Sequence, residues 1–139
     1  MASRTYFLSK SDSSIQLNVE PFTIGIASTV VNFKKSGGTV VELGNSAQDP
    51  TGIIADIDVG ISSDLLNGVL VITTAINLVG VADNLHDSAF ENLRIDYHLN
   101  GGVDGEQHFN IDSDDKLRIL DNTVIIGTKA IKFQTHEDE

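Results

Sequence analysis

His98, His108 and Asp96 are the residues in this chain whose types and spacing could act together as chemistry. Leu93, Ile95, Tyr97 and Leu99 alternate with Arg94, Asp96, His98 and Asn100, the pattern of a half-buried strand. A second short strand, Gln107–Ile111, follows a glycine-containing turn. With Leu99 opposite Gln107, Tyr97 meets Phe109 and Ile95 meets Ile111 on the core side. His98 then meets His108 on the outer side, with Asp96 and Asn110 one step further and Arg94 facing Asp112. Opposed side chains on such a ladder lie ~5 Å apart at Cβ. Two imidazoles at that spacing can share Zn²⁺ or a similar transition metal, with Asp96 as third ligand or as the group that orients one ring. A slip of one residue would send one histidine to the opposite side. The plain alternative is a solvated polar face.

Carboxylates offer the other candidate sites. Asp112-Ser113-Asp114-Asp115 has the opening of a calcium loop, with Asp112 and Asp114 as the expected ligands. It lacks the glycine at the sixth position, which is Leu117, and the distal glutamate. Asp56 and Asp58 share a strand face, and Asp83 and Asp87 bracket a loop containing Asn84 and His86. If loops 45–52, 83–92 and 112–115 converge, they could hold Ca²⁺ and support carbohydrate binding. With 20 acidic residues among 139, clusters of this kind also arise by chance.

Several chemistries lack their residues. There is no cysteine, hence no thiolate metal site, disulfide or cysteine nucleophile. No Gly-x-Ser-x-Gly elbow, phosphate-cradling glycine loop or His-Glu-x-x-His motif occurs. With no tryptophan there are few aromatic platforms for a sugar. The balance favours a non-enzymatic protein, and a metal-dependent enzyme built on His98, His108 and Asp96 is the least favoured reading. A net charge of −11, with nine scattered basic residues, argues against nucleic acid and anionic membrane surfaces. The first ten residues hold no apolar core of a secretory signal, and no run reaches the ~20 residues of a membrane helix. These features point to a soluble chain and assign no compartment.

The elements that must position these residues are strands. Nine or ten short strands are expected, separated by Gly-, Asn- and Ser-rich turns, with no long helix. That predicts an all-β fold: an antiparallel two-sheet β-sandwich of the jelly-roll or immunoglobulin-like kind. One domain spans residues 1–134, and 135–139 form an acidic, frayed tail. Strands are expected at Phe22–Phe33 and at Ile53–Ile61, the latter with Ile57, Val59 and Ile61 on one face. Val69–Ala82 contains no charge in fourteen residues and is rich in β-branched side chains. Such a run predicts a strand covered on both faces, by a second sheet or by a neighbouring copy. At ~3.3 Å per residue it would exceed one sandwich strand, so a bend is expected near Asn77 or Gly80. The chain therefore reads as a structural or interaction protein, a homo-oligomer or subunit of a larger assembly. Val69, Val71, Ile76 and Leu78 are the expected interface residues. A faint echo links Leu66–Thr74 with Leu120–Thr128, as expected of two similar turn-then-strand units.

Overall fold

Alternation of apolar and polar residues sets the strands. The computed structural model describes residues 3–8, 13–46, 49–103, 105–121 and 123–135. Strand β1 is Ser3–Phe7, β2 is Ser14–Phe22, β3 is Ile26–Lys34, β4 is Val40–Asn45 and β5 is Ile54–Ile61. After the single helical turn α1 (Ser62–Leu65) come β6 (Val69–Asn77), a 3-10 turn (Asp83–Leu85) and the short helix α2 (His86–Glu91). Strands β7 (Arg94–Gly102), β8 (Gly105–Asn110), β9 (Lys116–Ile119) and β10 (Val124–Gln134) complete the chain. The acidic end from His136 and part of the serine-rich turn before β2 lie outside the described residues.

Two sheets form the expected all-β sandwich. One runs β1-β10-β6-β3-β4, with β9 also paired to β10; the other runs β5-β2-β7-β8. One pair departs from the antiparallel expectation: β1 lies parallel to β10, from Ser3 beside Ala130 to Phe7 beside Gln134. The first half of β10 pairs with β9 on that same edge, so two short strands complete one long one. Between the sheets, Ile15, Leu17, Val19, Ile95, Tyr97 and Leu99 face Leu70, Ile72, Ile76, Ile125, Ile131 and Phe133, all fully buried. At about 2 kcal/mol for each large apolar side chain removed from water, this layer dominates the stability.

The uncharged run behaves as a strand and then stops. Strand β6 ends at Asn77, whose Oδ1 accepts the Val79 N–H at 2.9 Å, and a turn follows. Leu70, Ile72, Thr74 and Ile76 point inward; Val69, Val71, Thr73 and Ala75 are half-buried on the outer face. Within one chain the cover expected on both sides is present on one. The echo segments are units that pair with each other: Thr73 of β6 lies beside Thr128 of β10.

Two strand expectations change. Phe22–Phe33 is not one strand, because the chain turns between β2 and β3. Gly25 occupies that turn where a Cβ would lie 2.7 Å from the Ile76 side chain and 2.8 Å from the Asn77 carbonyl. In β5, Asp56 has a left-handed φ of 50°, and the register against β2 shifts. That bulge breaks the alternation, so Val59 is buried, Ile57 half-buried and Ile61 exposed.

Candidate functional site

The β7–β8 hairpin adopts the register that its alternation predicts. Leu99 lies beside Gln107, Tyr97 beside Phe109, His98 beside His108 and Asp96 beside Asn110. Ile111 continues the ladder by donating its N–H to the Ile95 carbonyl at 3.2 Å. The two imidazoles stack, with ring centroids 4.2 Å apart and planes inclined by 13°. Asp96, His98 and His108 each bring one donor atom within 4.8 Å of the others.

Asp96 anchors the group. Its carboxylate is nearly buried and accepts two hydrogen bonds from Arg94, Nε to Oδ1 at 3.0 Å and Nη2 to Oδ2 at 2.8 Å. His108 Nε2 lies 3.4 Å from Asp96 Oδ1. The Arg94 guanidinium holds the Asp96 carboxyl below the usual carboxylate range, against the opposing effect of burial, with a smaller contribution from His108. Arg94 also lies 4.7 Å over the Phe22 ring. On the far side, Glu106 Oε1 is 3.4 Å from His98 Nδ1. Sequence reading missed Glu106, although the alternation that places His108 outward places Glu106 on the same face.

Arg94 does not face Asp112, as the extended register suggested. Asp112 is the N-cap of the 3-10 turn Ser113–Asp115, and that turn takes it away from the hairpin. Its Oδ2 instead accepts Arg4 Nη2 at 2.6 Å and Lys129 Nζ at 2.8 Å. Lys129 Nζ also reaches Asp115 Oδ2 at 3.1 Å, with the lysine side chain 1 % and the aspartate side chain 0 % exposed. Asp115 Oδ2 in turn accepts the Asp112 N–H at 2.9 Å. Two carboxylates of the expected calcium loop thus hold a buried ammonium, while Asp114 faces solvent. The Lys129 hydrogen bond is the main cause that lowers the Asp112 carboxyl, with Arg4 adding to it. Beside this cluster the buried Tyr97 hydroxyl has no hydrogen-bond partner among the described residues. Burial, with the charges of Asp115 and Asp112, pushes its ionisation up. The signal for Lys129 was a charged residue at a core position of β10, between Gly127 and Ile131.

The remaining candidates separate. Asp58 Oδ1 accepts the Gly60 N–H, and exposed Asp87 pairs with Arg118 at 2.5 Å. His86 is buried, with Nε2 within 3.0 Å of the Leu78 carbonyl and 2.9 Å of the Val81 carbonyl, a structural role. Loops near 50 and 90 share a cleft of about 560 Å³ with Pro21, Phe22 and Ile24, whereas residues 112–115 do not line it. Of the four expected interface residues, Val69 and Val71 face outward, while Ile76 and Leu78 are fully buried in the core.

The molecule is an all-β, two-sheet sandwich with a polar, histidine-bearing outer face on one sheet and a nearly uncharged outer face on the other. No helix among the described residues is long and apolar enough to cross a membrane. Compared with known proteins, the chain matches no family model, no curated protein and no solved structure significantly.

Proposed function

We propose that this chain is a non-enzymatic structural or interaction subunit that associates with copies of itself through the outer face of its six-stranded sheet. One observation carries the reading. The outward positions of β3, β6 and β10 lie side by side in the ladder: Ser28, Ala75 and Ile126 in one row, Val30, Thr73 and Thr128 in the next, then Asn32, Val71 and Ala130. None of the nine is charged, in a chain with 29 charged residues. Leu117 and Ile119 of β9 extend the surface and are exposed. Lys34 and Lys132 flank Val69 in the row beyond these, and Glu42 of β4 lies beside Asn32 at the edge of the third row. A flat layer of small and β-branched neutral side chains suits sheet-on-sheet packing, in which a second layer lies about 10 Å away. A copy of the same face supplies that layer through a two-fold interface.

The opposite sheet offers no comparable surface. Its outer face carries Glu20, Arg94, Asp96, His98, Glu106 and His108. A calcium-assisted carbohydrate module draws less support: Asp112, Asp114 and Asp115 bring oxygens within 4.8 Å of one another, but an ion there would compete with the Lys129 ammonium, and the cleft by Phe22 is not lined by residues 112–115.

Size-exclusion chromatography with light scattering tests the proposal. A dimer or larger species is expected at micromolar concentration, tightening as salt is added. Val71→Asp should give a monomer with an unchanged far-UV spectrum. A wild-type chain that stays monomeric to high micromolar concentration at every salt level overturns the reading.

A further inference from the structure

We propose that His98, His108 and Asp96, with Glu106 at the rim, form a binding site for a first-row transition-metal ion of the zinc, nickel or copper class. Two imidazoles with a carboxylate are the donor set such ions prefer, and magnesium and calcium do not. The site lies on the four-stranded sheet, so it is independent of the association face.

Four observations converge on it. The donors sit on adjacent, directly paired strands, so backbone geometry fixes their separation. The histidine side chains are 35 % and 43 % exposed, so they can turn without disturbing the core. Asp96 is the opposite: nearly buried and clamped by both Arg94 hydrogen bonds, with Oδ1 already directed at His108. Ligating carboxylates in metal sites are commonly oriented by a neighbouring hydrogen-bond donor of this kind. The charges also agree, because Asp96 and Glu106 against Arg94 leave the face negative toward a dication.

Binding requires one defined rearrangement. Parallel stacked rings direct their lone pairs side by side, and a metal must lie near both ring planes. One imidazole has to turn about its Cβ–Cγ bond. Zn–N bonds of about 2.0–2.1 Å in a tetrahedral site bring donor atoms to roughly 3.3 Å apart. The three donors start within 4.8 Å, so a side-chain rotation closes the gap. Water can complete the coordination on the exposed side.

The test uses the metal alone. Purified wild-type protein is titrated with zinc chloride, and in parallel with nickel chloride, by calorimetry and by NMR of the imidazole protons. One ion per chain is expected, with saturating shifts confined to His98 and His108. His98→Ala and His108→Ala should each weaken binding by about tenfold or more, and Asp96→Asn should weaken it measurably. His136→Ala should bind as wild type. His98→Gln, a polar replacement on the same exposed face, guards against a folding effect and should behave as His98→Ala. No saturable binding in millimolar zinc overturns the site, as does wild-type affinity in both histidine variants. Loss of binding in His136→Ala would place the ion elsewhere and equally overturn it.

Discussion

At the scale of residues, the least expected feature is Lys129. A lysine in the interior is tolerated only when its charge is met by hydrogen-bonded partners, and here Asp112 and Asp115 supply them. Removing the lysine takes the ammonium from the fully buried Asp115 carboxylate, while the partly exposed Asp112 keeps Arg4. Lys129→Met should therefore destabilise the fold by about 3–5 kcal/mol, measured by urea denaturation. Arg94→Ala takes both hydrogen bonds from the nearly buried Asp96 carboxylate and should also destabilise the fold, by less than Lys129→Met because the arginine itself is exposed and water can replace it. Acid has a related effect through Asp112. Its folded-state ionisation is depressed, so its contribution is complete above the unfolded aspartate value of about 3.9 and is lost as pH falls below that. A denaturation series from pH 6 down to about 2 should show that loss in the wild type. In Asp112→Asn the slope below pH 4 should be shallower; an identical slope would remove Asp112 from the acid response.

At the scale of elements, strands β3 and β6 are joined inside the core by a polar contact. Thr29 Oγ1 and Thr74 Oγ1 lie 2.9 Å apart and both residues are fully buried, while the Thr29 N–H is donated to Ser46 Oγ at 2.9 Å. Thr74 explains why the uncharged run is not wholly apolar: its hydroxyl has a partner across the ladder. Thr29→Val or Thr74→Val alone strands one buried hydroxyl and should cost about 1–3 kcal/mol. Replacing both with valine removes the need for either partner and should recover most of the loss. A double-mutant cycle by thermal or urea unfolding reads this directly, and additive losses would deny the coupling. The turn that feeds β6 is equally local. Asn67 takes a left-handed φ of 67°, which asparagine tolerates, and Gly68 lies where a Cβ would come 2.2 Å from the Phe33 ring.

At the scale of the whole molecule, charge is divided between the two sheets. The strands of the six-stranded sheet carry Arg4, Lys34, Lys116, Arg118, Lys129 and Lys132 against one acid, Glu42. Those of the four-stranded sheet carry Glu20, Asp56, Asp58, Asp96 and Glu106 against one base, Arg94. In a chain of net charge −11, copies repel at long range, and this repulsion is weakest where the six-stranded sheet faces its neighbour. Screening by salt reduces the repulsion without touching an uncharged interface, which is why the proposed association should tighten rather than loosen as salt is added. Loosening would mean that ion pairs, not the neutral rows around Thr73, hold the copies together.

Much of this was legible in the residues. The alternation at 93–100 and the short strand after it place His98 and His108 on the same outer face, because the side-chain period of two and the buried face exclude a slip of one residue; the pairing of His98 with His108 followed from taking Leu99 opposite Gln107, which the structure shows. The strand β6 and the all-β class follow from the same local rule, whereas the bend expected near Asn77 or Gly80 is an end of the strand, at Asn77. Only the tertiary structure decided which side of β6 stays open, since alternation defines two faces but not what covers them. It also decided that β1 runs parallel to β10, that Ile76 and Leu78 belong to the core, and that the aspartates at 112 and 115 hold Lys129. Those contacts join residues distant in the chain, and no local pattern encodes a partner that folding alone brings near.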